Sequence, residues 1–180
     1  MKPSAAHLLV GGVGSGKTTQ LLVARERLEA AGDICAVYAD VSLRGSGELN
    51  SRTDVLAACG MALLQHLPES NMNMLAEAIF RANVNQDVSK GDPFDSLLGD
   101  IDGMRQAIGS RYPNVVLLLD ALDRVSDLEV FQGIIESSVL VLRSMGIGVI
   151  VVGPLTALYG IQRAALDRFE ALVRELDELL

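Results

Sequence analysis

The chain has 180 residues, enough for one domain with a sizeable core and too few for two comfortable ones. Apolar residues make up 49% of it and aromatics only 4%, with no Trp, which excludes a disordered chain and suits aliphatic helices packed on a buried parallel sheet. Asp and Glu number 23 against 15 Lys and Arg, a formal charge of −8 that argues against attraction to a nucleic-acid backbone, and no basic run offsets it.

Residues 7–12 (HLLVGG) are a short apolar run ending in glycines, the pattern of a buried strand entering a loop. The same run is too short and too quickly interrupted for a signal peptide. A helix is predicted over 17–31, with Leu21, Ala24 and Leu28 on one face and Gly32 as its stop. A second strand is predicted over 34–41 (ICAVYADV), which completes a βαβ unit and makes the sheet parallel. Between 42 and 113 no strand is evident. Amphipathic stretches at 53–67, about 72–82 and 94–108 predict a helical insertion, and the polar run 83–93 (NVNQDVSKGDP) predicts a surface loop.

A third strand is expected at 115–120 (VVLLLD), a helix at 128–145 with Leu128, Phe131, Ile135, Val139 and Leu142 on one side, and a fourth strand at 147–153 (IGVIVVG). Residues 144–162 carry no formal charge, but Gly146, Gly148, Gly153 and Pro154 interrupt them, so a strand and turn are expected rather than a membrane span, and a cytoplasmic location follows as the default. A last amphipathic helix is predicted from about 161 to 180. Cys35 and Cys59 fall in apolar runs without metal or redox spacing and read as buried free thiols.

The decisive local feature is Gly11-Gly-Val-Gly-Ser-Gly-Lys-Thr18, a complete G-x-x-x-x-G-K-[ST] motif between a strand and a helix. Glycines at 11, 12, 14 and 16 permit positive φ and bring backbone N–H groups close to phosphate oxygens. Gly12, Val13, Gly14, Ser15 and Gly16 would form the anion nest, Lys17 would reach the β- and γ-phosphates, Thr18 would ligate Mg2+, and Thr19 would lie beside the α-phosphate. The strand end supplies Asp120 as a candidate holder of the metal's water shell, and Asp123 as a candidate to orient an attacking water. A nucleoside triphosphate, ATP, with Mg2+ is therefore the expected ligand pair.

The segment LLLDALD around Asp120 and Asp123 resembles the Walker B region of STAND ATPases, relatives of the AAA+ proteins, with Ala121 as the small residue after the first acid. The resemblance implies a three-layer α/β/α sandwich of the additional-strand (ASCE) type, acting as a nucleotide-controlled switch with attached domains or neighbouring protomers. It also implies that strand 147–153 lies beside the P-loop strand, with Thr156 near its end as a candidate γ-phosphate sensor. Asp167-Arg168-Phe169 resembles the region where AAA+ and origin-recognition ATPases carry an arginine finger, which makes Arg168 a candidate catalytic residue. Two departures stand out: Arg124 occupies the place where STAND members carry a further acid, and Ala121 the place where AAA+ proteins carry Glu.

GSGKTTQ with ERLEAAG also resembles the start of thymidylate kinase, so a nucleoside monophosphate kinase is the alternative enzyme. YADVSLRGSG lacks that family's Arg-Glu-Pro-Gly element, and no arginine-rich lid follows. An Asn-Lys-x-Asp element for guanine is absent from the sequence, and a nucleotide-binding scaffold without turnover is the remaining alternative. Four predicted strands, where such cores have five, suggest one domain of a longer multidomain protein.

Overall fold

The computed structural model describes residues 5–43, 52–69, 77–81, 84, 93–160, 169 and 171–173. Strand β1 (Ala6–Val10) is buried along its whole length and leads through a glycine loop into helix α1 (Lys17–Ala30). Leu21, Ala24 and Leu28 recur at helical spacing and form the buried side of α1. The helix ends where the Gly32 N–H bonds to the Glu29 carbonyl, and strand β2 (Ile34–Asp40) follows.

After a 3-10 turn at Val41–Leu43 come helix α2 (Arg52–Leu64), a helical stretch at 77–81 and helix α3 (Phe94–Gly109). The described parts of the insertion are helices joined by turns, with no strand among the described residues. Most of the predicted 83–93 loop lies outside the described residues. Phe80 is fully buried and lies over Gly60 of α2, where an added Cβ would come 2.0 Å from its ring tip. Strand β3 (Asn114–Asp120) then runs into a second 3-10 turn, Leu122–Arg124.

Helix α4 follows, with Leu128–Ile134 and Leu140–Ser144 in α geometry and a π-turn at Ile135–Val139 between them. The expected Phe131, Ile135, Val139 and Leu142 are buried. The π-turn also buries Ser138, whose hydroxyl donates to the Arg52 carbonyl at 3.2 Å and ties α4 to the start of α2. Strand β4 (Gly148–Gly153), the short helix α5 (Ala157–Gly160) and strand β5 (Ala171–Val173) complete the order.

The five strands form one parallel sheet in the order β2-β3-β4-β1-β5. Alternate residues point to opposite faces. Leu8, Val37, Leu117 and Val151 face the core shared with α2, α3 and α4, while Leu9, Ala36, Val116, Leu118, Ile150 and Val152 face α1. The result is the expected three-layer α/β/α sandwich, with β4 beside β1 as expected.

The fifth strand corrects the sequence reading. Residues 171–173 are not helical, as the 161–180 periodicity predicts, but extend the sheet along β1 with Leu8 level with Leu172. The open edge of β1 needs partners for its backbone groups, and that demand overrides a three-residue apolar run's ambiguous pattern. Among the described residues the strand count is five, not four. The rest of that predicted helix, Arg168 included, lies outside the described residues apart from Phe169. Both cysteines are buried free thiols.

Candidate phosphate and metal site

All the strands are parallel, so their C-terminal ends gather the loops after β1, β2, β3 and β4 along one edge, with Val10 level with Gly153 and Asp40 level with Asp120. The phosphate motif fills the first of these loops. Gly14 and Gly16 have φ of 78° and 81°, the left-handed region that a side chain would oppose. Gly11 and Gly12 do not share that conformation; at Gly11 the loop packs closely, and an added Cβ would come 2.5 Å from the Ser15 hydroxyl, which would have to turn away.

Val13 stands fully exposed at the tip of the loop, leaving only its backbone for ligand contact. The Ser15 N–H closes a turn on the Gly12 carbonyl at 3.2 Å. Gly16 precedes α1 without any side-chain cap, and the first helical N–H groups lack intrahelical acceptors. Thr18 and Thr19 are exposed on this first turn.

Lys17 is 8% exposed, and its ammonium lies under the loop. Nζ donates to the Gly11 carbonyl at 3.1 Å and the Gly12 carbonyl at 2.9 Å, and pairs with Asp123 Oδ2 at 3.0 Å. An ammonium has three donors, so all three are engaged. The pair joins the loop after β1 to the turn after β3.

Asp120 is buried at the end of β3 on the α1 side of the sheet. Its Oδ1 accepts from the Ala121 N–H at 2.7 Å, and its Oδ2 from the Tyr38 hydroxyl at 2.8 Å. Ala121 then turns the chain with φ of 69°, the one non-glycine positive φ among the described residues. Burial, and then the hydrogen bond to Asp120 and the charges of Asp120 and Asp40, push the Tyr38 phenol far above its usual range and keep it a donor. Asp40 is occupied separately: its Oδ1 accepts from the Ser42 N–H at 2.9 Å and the Ser42 hydroxyl at 2.6 Å.

The structure therefore brings Lys17 and Asp123 into contact and holds Asp120 in a fixed orientation on the same edge. Thr156 lies exposed on the turn after β4, where its carbonyl accepts from the Tyr159 N–H, and among the described residues no hydrogen bond links it to Lys17 or Asp120. Arg124 is exposed beside Asp123. Asp127 belongs to the helix rather than the site, capping α4 through the N–H groups of Glu129 and Val130. Tyr38 is the site residue that sequence reading missed. Its one signal was an aromatic two positions before the acidic end of an otherwise aliphatic strand.

Among the described residues no group of three or more His, Cys, Asp or Glu is arranged to hold a metal ion by itself. Mg2+ is commonly held by one or two protein oxygens, with waters and phosphates completing its shell. An exposed Thr18 hydroxyl and an anchored Asp120 carboxylate fit that donor chemistry. The space over the loop is also open, for a Cβ at Gly12, Gly14 or Gly16 would meet nothing within 4 Å. The architecture is a parallel three-layer α/β/α sandwich with a glycine-rich phosphate-type loop between its first strand and first helix.

No family model and no curated protein matches the sequence. Among solved structures, a chain described as a metal-chelate type ABC transporter in an inward-facing conformation aligns with 92% of this chain and 66% of its own length, at 14% identity and a TM-score of 0.40. The chain thus spans about two thirds of that chain's length, and so distant a likeness assigns no activity. Among the described residues no helix is long and apolar enough to cross a membrane.

Proposed function

We propose that the chain binds ATP with Mg2+ and hydrolyses it slowly, as a nucleotide-controlled switch of the STAND/AAA+ kind. The observation that carries this reading is the Lys17 ammonium, held under an uncapped helix start and joined to Asp123 across the strand ends. A buried cation, a row of helix N–H groups and open space above them suit a chain of phosphates. Backbone groups of Gly12, Val13, Gly14, Ser15 and Gly16 would wrap the phosphates, with Lys17 on the β and γ groups and Thr19 by the α group.

Thr18 and Asp120 would hold the metal, which when bound neutralises charge on the transferred phosphoryl group. Asp123 would accept a proton from, or orient, a water at the γ-phosphate. The Lys17–Asp123 pair adds a switch. With all its donors engaged, the ammonium reaches phosphate by giving up a present partner, and Asp123 is the partner on a separate turn. Phosphate binding would thereby free Asp123 and the Leu122–Arg124 turn, reporting the nucleotide to further domains or to neighbouring protomers, on which Arg168 would act as a finger.

The test is phosphate release from ATP with Mg2+, with and without acceptor nucleotides, on wild type, Lys17→Ala and Asp123→Asn. Slow release lost in both variants supports the switch. Release of ADP only when deoxythymidine monophosphate is added replaces it with the kinase reading, and tight binding without turnover replaces it with a scaffold. Mixing Lys17→Ala with Arg168→Ala protein tests the finger, which is sunk if no activity returns although the two variants co-assemble.

A further inference from the structure

We infer that Tyr38 is a positioning residue for magnesium: its hydroxyl holds the Asp120 carboxylate in the orientation that receives the metal's water shell. This rests on the proposed ATP and Mg2+ reading, and concerns a residue outside the phosphate motif and the acidic strand end.

The geometry begins with strand register. Tyr38 is level with Leu118, and Asp40 with Asp120, so Tyr38 and Asp120 are diagonal neighbours on one face of the β2–β3 pair. Diagonal neighbours lie about 7–8 Å apart, beyond short side chains but within reach of an aromatic one. The Tyr38 ring packs against the α1-side core, and its hydroxyl extends to Asp120 Oδ2 at 2.8 Å.

The second acid does not compete for that proton, because Asp40 is turned to the two donors of Ser42. Among the described residues each oxygen of Asp120 thus has one protein donor, Ala121 on one and Tyr38 on the other. A carboxylate offers about four lone-pair sites in all. Two remain for metal-bound waters, in directions fixed by the two already used.

The Ala121 donor is a backbone N–H, which every substitution but proline leaves in place. The Tyr38 donor can be deleted cleanly. Without it, Asp120 Oδ2 loses its protein donor, and the carboxylate can rotate about the single contact left. A carboxylate held by one point must be ordered by the metal's own waters, which weakens metal binding and leaves direct phosphate contacts untouched.

The experiment uses Tyr38→Phe, which keeps the packed ring. Binding of the slowly hydrolysed β,γ-imido analogue of ATP is measured by calorimetry in EDTA and across a Mg2+ titration, with Asp120→Asn and the double variant alongside. In Tyr38→Phe the half-saturating Mg2+ is expected to rise about three- to tenfold, the net worth of one typical hydrogen bond. Affinity in EDTA is expected to stay within about twofold of wild type, since no phosphate contact changes. In the Asp120→Asn background Tyr38→Phe should add nothing, because it acts through that carboxylate.

An unchanged Mg2+ midpoint in Tyr38→Phe overturns the inference while Mg2+-dependent binding by wild type leaves the parent reading standing. Equal losses with and without metal, or additive effects in the double variant, overturn it in favour of a packing role. Wild-type protein that binds no triphosphate, or binds it with no response to either Mg2+ or Asp120→Asn, defeats the parent reading and this inference with it.

Discussion

Asp123→Asn separates stability, affinity and turnover in one substitution. In the free protein Asp123 Oδ2 lies 3.0 Å from the Lys17 ammonium, and the two side chains are 24% and 9% exposed. At an effective dielectric constant of about 20 the gross attraction at that distance is about 5–6 kcal/mol, most of it offset by the cost of desolvating both charges. Asn preserves shape and an acceptor oxygen, so the net loss is about 1–2 kcal/mol, which lowers the melting temperature by about 2–8 °C for a chain of this size.

Phosphate binding shifts in the opposite direction. In wild type the incoming phosphate displaces Asp123 and meets its negative charge; in the variant neither cost arises, so ATP affinity should rise about 5- to 30-fold. Hydrolysis should fall about 100-fold or more, because the group proposed to orient the water is gone. Calorimetry with the imido analogue, a thermal melt without nucleotide and a phosphate-release assay give the three numbers. A variant that binds more weakly than wild type, or equally, refutes the argument that Asp123 and phosphate compete for Lys17.

Gly60→Ala should destabilise the protein by about 1–3 kcal/mol in a urea melt although alanine favours helix, because its Cβ would lie 2.0 Å and 2.4 Å from two ring carbons of the buried Phe80. Pairing it with Phe80→Leu should recover part of that loss. Ala121→Gly should leave stability unchanged or raise it by up to about 1 kcal/mol, since φ of 69° strains alanine, whereas Ala121→Val should cost about 2 kcal/mol or more. Burial pushes the Cys59 thiol from 9.0 up to about 12, so the folded state keeps a proton that the unfolded chain releases. That contribution is complete below pH 9.0 and lost between there and about 12, at about 1.4 kcal/mol per pH unit. Urea melts from pH 8 to 11 should show this decline in wild type and a smaller one in Cys59→Ala. At pH 8 neither cysteine should react with a thiol reagent until the chain unfolds.

Most of the sheet was readable because buried parallel strands are nearly unbroken aliphatic runs: HLLV, ICAVYA, VVLLL and IGVIVV each run on into a glycine or an aspartate. The phosphate loop was readable because its chemistry is consecutive in sequence. Features formed between distant residues were not. Ala171–Val173 is too short to break the surrounding helical pattern, and only the free edge of β1 makes it a strand. The π-turn in α4 has no sequence mark; it shows itself through buried Ser138 reaching Arg52. Tyr38 and Asp120 are 82 positions apart and meet through strand register, which local periodicity does not encode. Lys17 was read as a phosphate ligand and Asp123 as a water ligand, and neither reading foresaw that they hold each other.

The placing of β4 between β1 and β3 works as a ruler. Leu119 is level with Val151 and Val151 with Leu8, so the lysine-bearing and acid-bearing edges are held two hydrogen-bonded spacings apart, about 10 Å between backbones. Main-chain bonds set that width, whichever side chains line the middle strand. Side-chain substitutions in β4 can soften the core beneath the site, but the opening into which phosphates would fit keeps its calibre for as long as the three strands stay paired.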